Sequence, residues 1–336
     1  MPVLDASILR STAVRALILA GVPEVHADIQ VDLWLDAELR GIASHGLLRL
    51  ERIVQRMERG LADPLSTGLH DWAGCSFLKV DGQRGLGPVV ALSALEAIQE
   101  RARDTGIAIA AIANSQHIGM LAWYAERVAR SGKVCIVLST SEALVHPWGA
   151  RKALLGTNPI AIGIPSGEDE PFVIDTATSI VSMGEIHDRA HRNMPLEDGW
   201  ARDEYGAPTL DAEAAKAGAI APFGQAKGYA LGLAFELLVS ALTGAALGRD
   251  VRGTLDAIHP ANKGDLLIVI DRACADGIAD YLNIIRGAEP AEGFDSVLIP
   301  GERGRAARAE RLRNGVPIAD PVWAKLKEMA GEEVLA

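Results

Sequence analysis

The sequence predicts an α/β protein in which helices flank a sheet. Three observations lead to this fold class. Strand-like and helix-like segments alternate between residues 77 and 139, residues 1–60 carry only helical patterns, and hydrophobic residues make up 49% of the chain against 23% charged residues. A chain of 336 residues with this balance can bury a large core, and we expect two or three lobes.

The N-terminal region is predicted to be helical throughout. Asp5 or Ser7 is positioned to cap the first helix, because short polar side chains accept hydrogen bonds from the free amides of a first turn. Pro23 opens a second helix that ends near Arg40, with apolar residues at four-residue spacing. After a short turn, a third helix is expected to end at Gly60.

Clusters of glycine, proline and polar residues divide the remainder into short apolar runs. The longest run, residues 227–247, contains Glu236 and several glycines, so we predict a buried helix and not a membrane span. Residues 188–208 are polar and predict a loop or hairpin region. Strands are predicted at 77–80, 107–113, 134–139, 160–164, 171–174, 266–271 and 296–299, and helices at 89–104, 119–130, 276–286, 305–314 and 320–330.

Composition excludes several classes of partner. The formal net charge of -11 disfavours nucleic acid and anionic membranes, since both require a cationic face. Cys75, Cys135 and Cys274 lie far apart without metal-binding spacing; we expect no metal site, and buried free thiols at Cys75 and Cys135. The N-terminus lacks a basic flank leading into an apolar segment, so we expect a cytoplasmic protein without a signal peptide.

Residues 40–49 concentrate the side chains that acid–base chemistry needs. If a helix begins at Leu47, His45 and Arg49 are four residues apart and share one face. An imidazole can transfer a proton near neutral pH, and a guanidinium can hold a carboxylate through two parallel hydrogen bonds. The alternative interpretation is a helix cap at Ser44 followed by two surface residues.

The sequence lacks the glycine fingerprint of a Rossmann dinucleotide site. No G-x-G-x-x-G follows a strand, Gly82, Gly85 and Gly87 have the reversed spacing, and no Walker-type GK[ST] is present. Other glycine-rich and polar clusters stand at the ends of predicted elements, where each alone is explained by a turn or cap. These clusters are Ser115–Gly119, Leu155–Pro159, Phe172–Ser179, Lys227-Gly228 and Pro300–Arg303.

Taken together, the motifs resemble the malate/L-lactate dehydrogenase-type oxidoreductase family, whose relatives include ureidoglycolate, sulfolactate, diketogulonate and cyclic-imine carboxylate reductases. Six motifs occur in the family's order over nearly the whole chain. They are SHG with Arg49, S-x-H-x-G at Ser115–Gly119, LGTNP at Leu155–Pro159, D-x-A-x-S at Asp175–Ser179, KG at Lys227-Gly228 and PGE at Pro300–Glu302.

The resemblance implies a non-Rossmann fold with a mixed, largely antiparallel sheet flanked by helices, and a helical lobe built from both chain ends. It also implies NAD or NADP as cofactor and a homodimer. The expected organisation is a helical segment at 1–72, an α/β core at 73–300 that binds cofactor and substrate in one or two lobes, and a helical segment at 301–336 that packs with the first.

By the same resemblance, His45 is the expected proton donor, steadied by Ser44, and Arg49 and His117 contact the substrate. The residues that match the cofactor-binding segments are Phe172, Val173, Ile174, Asp175, Thr176, Ala177, Thr178, Lys227, Gly228, Gly301, Glu302 and Arg303.

The implied reaction is hydride transfer between a nicotinamide and a small 2-oxo or 2-hydroxy acid such as malate, lactate, sulfolactate or ureidoglycolate. Alternatives are reduction of a cyclic 2-imino acid and, from a different class, a non-catalytic ligand-binding relative. Arg52 and Ile53 stand where several relatives carry an aromatic residue; Arg52 is either a second cation for a doubly anionic substrate or an exposed residue. Asp188 is a possible relay partner of His45, and basic residues at 187–192 leave NAD and NADP both open.

Overall fold

A computed structural model describes residues 1–332 of the chain. Its helices are α1 (Ala6–Leu19), α2 (Glu24–Leu39), α3 (Leu50–Glu58), α4 (Gly87–Thr105), α5 (Ala122–Arg130), α6 (Met183–His191), α7 (Ala212–Ala215), α8 (Ala226–Thr243), α9 (Ile278–Arg286), α10 (Glu302–Asn314) and α11 (Asp320–Met329). Its strands are β1 (Val3–Leu4), β2 (Leu69–Trp72), β3 (Phe77–Asp81), β4 (Ile107–Ala113), β5 (Val134–Ser139), β6 (Ile160–Ile164), β7 (Phe172–Thr176), β8 (Ala201–Arg202), β9 (Pro208–Thr209), β10 (Ala219–Ile220), β11 (Gly264–Ile270) and β12 (Val316–Pro317).

A seven-stranded sheet with the order β2-β3-β4-β11-β5-β6-β7 forms the centre of the fold. Only β3 and β4 run parallel, so the prediction of a largely antiparallel sheet flanked by helices is confirmed. Strand β11 lies between β4 and β5, with Ile268 opposite Ile109 on one side and Ile136 on the other. These central strands are mostly apolar, apart from Asp265 in β11 and Ser139 in β5, and they are packed against helices.

Segments near the two ends of the described chain pair and pack with each other. Val3 pairs with Pro317 in an antiparallel two-stranded ribbon of β1 and β12. Helix α1 packs against α2 and α11, and α10 packs against α2. A separate three-stranded sheet, β10-β8-β9, accompanies α6 and α7. The last four residues of the predicted C-terminal segment, 333–336, lie outside the described residues.

Strands β4, β5 and β6 have the predicted bounds, and the hairpin alternative for residues 188–208 is confirmed, since this region contains the end of α6, strand β8 and the first residue of β9. Two other predictions need correction. Residues 296–299 form no strand, since they are not paired with any strand of the described chain. The predicted helix start at Leu47 is wrong as well, because two 3-10 turns, Ala43–His45 and Leu47–Arg49, precede α3.

Helix α8 is less buried than predicted. One stripe, formed by Gly228, Gly232 and Glu236, is buried, and the helix packs against β11, β4 and β5. The opposite face exposes several leucines, among them Leu231 and Leu238, each 44% accessible. By length and composition alone this helix is apolar enough to cross a membrane. Apolar helices in the interior of globular proteins meet the same two criteria. The sequence pattern identified an apolar helix without distinguishing what covers each face.

The cysteines are free thiols, but one prediction about their burial is wrong. Cys135 is buried in β5, and burial raises the pKa of its thiol to about 12. Cys75 and Cys274 are exposed. Cys75 precedes β3 in a turn outside the apolar run, which explains why the neighbouring strand gave the wrong expectation.

Candidate active site

The backbone around His45 depends on a buried glutamate. Glu38, at the end of α2, accepts a hydrogen bond from the Leu47 amide at 2.9 Å. A Cβ atom on Gly46 would lie 2.1 Å from Glu38 Oε1, so this position requires glycine unless the carboxylate moves. Burial raises the pKa of Glu38 to about 7. The glutamate therefore holds the turn between the two 3-10 segments in place.

This turn replaces the continuous helix that was expected to carry His45 and Arg49. Gly46 has an extended backbone, which breaks the helical spacing between the two residues. Arg49 instead folds back, and its Nε donates to the Ser44 carbonyl at 2.9 Å. The imidazole and the guanidinium are thus brought together by a local hydrogen bond and not by a helical face.

His45 is linked to both Ser44 and His117. Its Nδ1 lies 2.9 Å from Ser44 Oγ, which leaves Nε2 free to meet a substrate. The rings of His45 and His117 are 5.4 Å apart between centroids and tilted by 42°. His117 Nδ1 accepts a hydrogen bond from the Gly119 amide at 3.0 Å, so a neutral His117 carries its proton on Nε2.

Both imidazoles are held in their neutral form. Burial lowers the pKa of His45 from its ordinary 6.5 to about 3, and the positive charge of Arg49 acts in the same direction. Burial likewise places the pKa of His117 well below its usual range. Burial, with the neighbouring Arg52, also lowers the pKa of Arg49 to about 10, which still leaves its guanidinium charged at neutral pH. The site therefore combines a neutral base with a cation.

The free amides at the start of α5 are already used by the protein. This helix begins at Ala122 and not at Gly119. Its first amide, that of Ala122, donates to Asp175 Oδ2 at 2.7 Å. Burial raises the pKa of Asp175 to about 6, and the hydrogen bonds from the helix amides oppose this shift. The S-x-H-x-G motif thus contributes His117 to the site, but not a helix terminus.

Arg49 and His117 line a cleft that is open to solvent. Arg52 and Arg56 also line it, so the interpretation of Arg52 as a residue on the outer helix face is wrong. The full lining consists of Gln30, Trp34, Arg49, Arg52, Ile53, Arg56, Gln116, His117, Gly253 and Thr254.

Several residues of this cleft were missed by sequence analysis. Arg56 was not singled out, although the spacing of Arg49, Arg52 and Arg56 is that of one helical face. Glu142 fixes the opposite wall, because its Oε1 accepts from the amides of Thr254 and Leu255 at 2.8 Å each. No sequence signal links Glu142 to a segment more than 100 residues away in the chain.

A buried ion pair lies beside the S-x-H-x-G motif. Lys263 is bonded to Asp265, and both side chains are almost completely inaccessible. Asp265 also accepts from Ser115 Oγ at 3.2 Å and from Ser139 Oγ at 2.7 Å. A buried ion pair needs such additional hydrogen bonds to offset its desolvation. The positive charge of Lys263 adds to the depression of the pKa of His117.

The predicted cofactor segments meet along β7, an edge strand of the main sheet. Gly301 has a φ of +91°, and a Cβ there would lie 2.7 Å from the Val173 carbonyl oxygen. A Cβ on Gly232 of α8 would lie 2.7 Å from Thr178 Oγ1. Because Gly301 and Gly232 have no side chain, the PGE turn packs closely against β7, and α8 packs closely against Thr178 just after this strand.

The start of α8 offers a cation and a polar group. Lys227 is exposed, and its ammonium group makes no hydrogen bond or ion pair with the described part of the chain. A Cβ on Gly228 would lie 1.8 Å from the Phe223 carbonyl oxygen, so only glycine fits there. Ser179 Oγ is buried and has no hydrogen-bond partner within residues 1–332. These are groups that a polar ligand could satisfy.

Two of the predicted cofactor residues have a role in the fold. Asp175 accepts from the start of α5, as described above. Glu302 accepts from the Ile299 amide at 2.8 Å and from Arg286 Nε at 2.5 Å. The remaining predicted residues are partly or fully accessible: Phe172, Ile174, Thr176, Ala177 and Arg303.

The structure does not join Asp188 to His45. Asp188 pairs with Arg192 at 3.1 Å on the outer side of α6. Arg189 pairs with Glu185 and Glu197, so the two arginines of the predicted basic patch are already neutralised. The start of α6 nevertheless abuts the site, since a Cβ on Gly184 would lie 3.1 Å from Ser44 Cβ. Within residues 1–332, no cluster of His, Cys, Asp or Glu could hold a metal ion.

Comparison with known proteins identifies the class to which the chain belongs. A model of the malate/L-lactate dehydrogenase family matches residues 4–327. The chain therefore belongs to this family, which confirms the resemblance inferred from its motifs and makes it an oxidoreductase.

Individual relatives cover nearly the whole chain. A solved structure of a dehydrogenase from Sinorhizobium meliloti is 51% identical, covers 98% of each chain and superposes with a TM-score of 0.94. L-sulfolactate dehydrogenase of Methanocaldococcus jannaschii is 34% identical, over 93% of this chain and 92% of its own. (2R)-3-sulfolactate dehydrogenase (NADP+) of Chromohalobacter salexigens is 35% identical, over 89% of this chain and 90% of its own.

Two further relatives carry different names. Ureidoglycolate dehydrogenase (NAD+) of Escherichia coli is 29% identical, over 90% of this chain and 89% of its own. A structure of Δ1-piperideine-2-carboxylate reductase from Pseudomonas syringae is 30% identical, covers 98% of this chain and all of that one, and has a TM-score of 0.87. The relatives thus include enzymes named for both NAD+ and NADP+.

Proposed function

We propose that this protein transfers a hydride between NAD or NADP and a small 2-oxo or 2-hydroxy acid, with His45 exchanging the proton. The observation that carries the proposal is the juxtaposition of His45 with His117 at 5.4 Å, beside a cleft lined by Arg49. The relatives named for sulfolactate and ureidoglycolate support the substrate class, since both are small hydroxy acids.

Arg49 is suited to hold the carboxylate of the substrate. Its Nε is fixed by the Ser44 carbonyl, and its Nη1 is only 3.5 Å from the Thr254 carbonyl oxygen, a weak contact that a carboxylate can replace. A guanidinium anchored on one side presents its other nitrogens in a fixed direction. The carbon next to the carboxylate is then held beside the two imidazoles.

His45 acts on the oxygen of that carbon. In the oxidative direction the neutral imidazole accepts the hydroxyl proton on Nε2, while Ser44 Oγ, at Nδ1, steadies the ring. In the reductive direction His45 must first be protonated, which its low pKa opposes in the empty site. A carboxylate bound to Arg49 neutralises the repelling charge and raises the pKa of His45 when the proton is needed.

The nicotinamide cofactor supplies or accepts the hydride when bound. The surroundings of β7 fit a dinucleotide because they combine close-packed glycines, the unpaired hydroxyl of Ser179 and the exposed ammonium of Lys227. Such a site on an edge strand and two turns differs from a Rossmann crevice, which agrees with the missing glycine fingerprint. We propose that a helical lobe built from residues 1–72 and 301–332 carries His45 to this edge.

The exposed face of α8 supports a homodimer as the working assembly. Leu231, Leu237 and Leu238 are 44–49% accessible and lie outside the buried stripe of α8. A contiguous apolar surface of this kind is typical of an interface. We also propose a cytoplasmic location, because the exposed thiols of Cys75 and Cys274 fit a reducing compartment.

A panel of acids tests the proposed function. Purified protein is assayed for oxidation of NADH and of NADPH with pyruvate, oxaloacetate, 3-sulfopyruvate and Δ1-piperideine-2-carboxylate. Turnover of at least one 2-oxo acid is expected. Turnover of the cyclic imine alone would favour the second candidate, an imine reductase, which the resemblance to the piperideine-carboxylate reductase supports. Binding of neither nucleotide would favour a non-catalytic relative and contradict the proposal.

A further inference from the structure

Three guanidinium groups line the cleft without an ion-pair partner. Arg49, Arg52 and Arg56 all contribute to its wall. None has an Asp or Glu oxygen within 4.0 Å among residues 1–332. By contrast, Arg40, at the C-terminal end of α2, lies 2.7 Å from both Asp36 and Glu126. The charges of Glu142 and Asp256 act on Arg49 and Arg56 only from beyond ion-pair distance. In a chain of net charge -11, three arginines that share one cleft without a carboxylate in contact indicate anionic ligand groups.

Arg56 has a donor that nothing in the described chain satisfies. The side chain is 3% accessible, and its Nε donates to Gln116 Oε1 at 2.7 Å. Its Nη1 donates to the carbonyl oxygens of Asp256 and His259 at 2.7 and 3.1 Å. Its Nη2 is buried and makes no hydrogen bond. A buried, charged donor without a partner is costly, so the site is built for an acceptor that arrives with a ligand.

Arg52 is free for the same ligand. It is half-buried and makes no hydrogen bond or ion pair with the described residues. The carboxylates of the opposite wall are engaged elsewhere. Glu142 Oε1 accepts from Thr254 and Leu255, and Asp256 accepts from the amides of Ile258 and His259. Among residues 1–332, no group forms a hydrogen bond or ion pair with the guanidinium of Arg52 or with Nη2 of Arg56.

We propose that Arg52 and Arg56 form a second anion subsite, so that the protein selects small acids with a second anionic group, a carboxylate or a sulfonate. This inference rests on the proposed function, in which Arg49 holds the first carboxylate. Arg52 and Arg56 are four residues apart on α3 and therefore neighbours on one helical face. A monoacid leaves this pair without a counter-charge, whereas a doubly anionic acid satisfies both ends of the cleft.

Kinetics with matched acids test the subsite. The ratio of kcat/KM for oxaloacetate or 3-sulfopyruvate to kcat/KM for pyruvate is measured for the natural protein, Arg52→Gln and Arg52→Lys. We expect a ratio well above one, which Arg52→Gln lowers about 10- to 100-fold, the value of a charge-assisted hydrogen bond. Arg52→Lys should retain part of the preference. Arg15→Gln removes the same charge from an exposed site on α1 and should leave the ratio unchanged.

The outcomes separate this proposal from the proposed function. Equal losses for pyruvate and the diacids in Arg52→Gln, or a natural preference for pyruvate, would overturn the subsite while leaving a 2-oxo acid reductase. A weaker affinity for NADPH with no change for NADH would assign Arg52 to the cofactor and also overturn it. Failure of the natural protein to turn over any acid with either nucleotide would overturn both proposals.

Discussion

Measuring the catalytic rate as a function of pH tests whether His45 is neutral in the free enzyme. Burial, assisted by Arg49, lowers the pKa of this imidazole from 6.5 to about 3. At pH 7 the group then lies about four pH units above its pKa, so about one molecule in 10⁴ carries the imidazolium. A lowered histidine pKa keeps the neutral imidazole, the base, present across the neutral pH range and makes the imidazolium, the acid, scarce.

The assay compares kcat/KM in both directions between pH 5 and 9, because this constant reports ionisation of the free enzyme. Oxidation of the hydroxy acid should be independent of pH over this window. Reduction should fall about tenfold per pH unit throughout it, since protonated His45 becomes rarer. Arg49→Met removes the repelling charge and should move the pKa of His45 upward. If kcat/KM for oxidation of the hydroxy acid decreases as the pH is lowered through about 6.5, the ordinary pKa of histidine, the reasoning is refuted.

Three other predictions concern the same framework. His45→Ala should lower kcat about 10²- to 10⁴-fold, whereas Arg49→Met should mainly raise KM; an equal effect on both constants would contradict the roles, as steady-state kinetics can show. Gly46→Ala displaces Glu38 from the Leu47 amide and should destabilise the fold by about 1–3 kcal/mol in denaturant titrations, unless the carboxylate relocates freely. Leu238→Glu should shift the sedimentation mass from dimer to monomer, and an unchanged mass would exclude α8 as the interface.

Local patterns were enough to predict most elements of the main sheet. Strands β4, β5 and β6 are apolar runs bounded by glycine or polar turns, and their ends are set by those neighbours. The order of the strands could not be predicted from local patterns, because β11 lies between β4 and β5 although it is more than 120 residues away from them in the chain. Residues 296–299 have strand composition but no pairing partner in the described chain, and composition alone cannot supply one.

The residues of the site were found more readily than their geometry. His45, Arg49 and His117 were expected from motifs, and they do come together. Their arrangement depends on Gly46 and the buried Glu38, a contact across nine residues that periodicity does not reveal. The prediction that α8 is buried failed for another reason. An apolar helix has the same sequence pattern whether or not its own chain covers its outer face.

The most direct measurement is a crystal structure of the complex with NADH and oxamate, an unreactive analogue of a 2-oxo acid. We predict that the carboxylate of oxamate pairs with Arg49, that its amide carbonyl oxygen lies about 3 Å from His45 Nε2, and that the nicotinamide ring stacks beside it from the β7 edge. A nicotinamide ring remote from His45, or a carboxylate bound away from Arg49, would contradict the account.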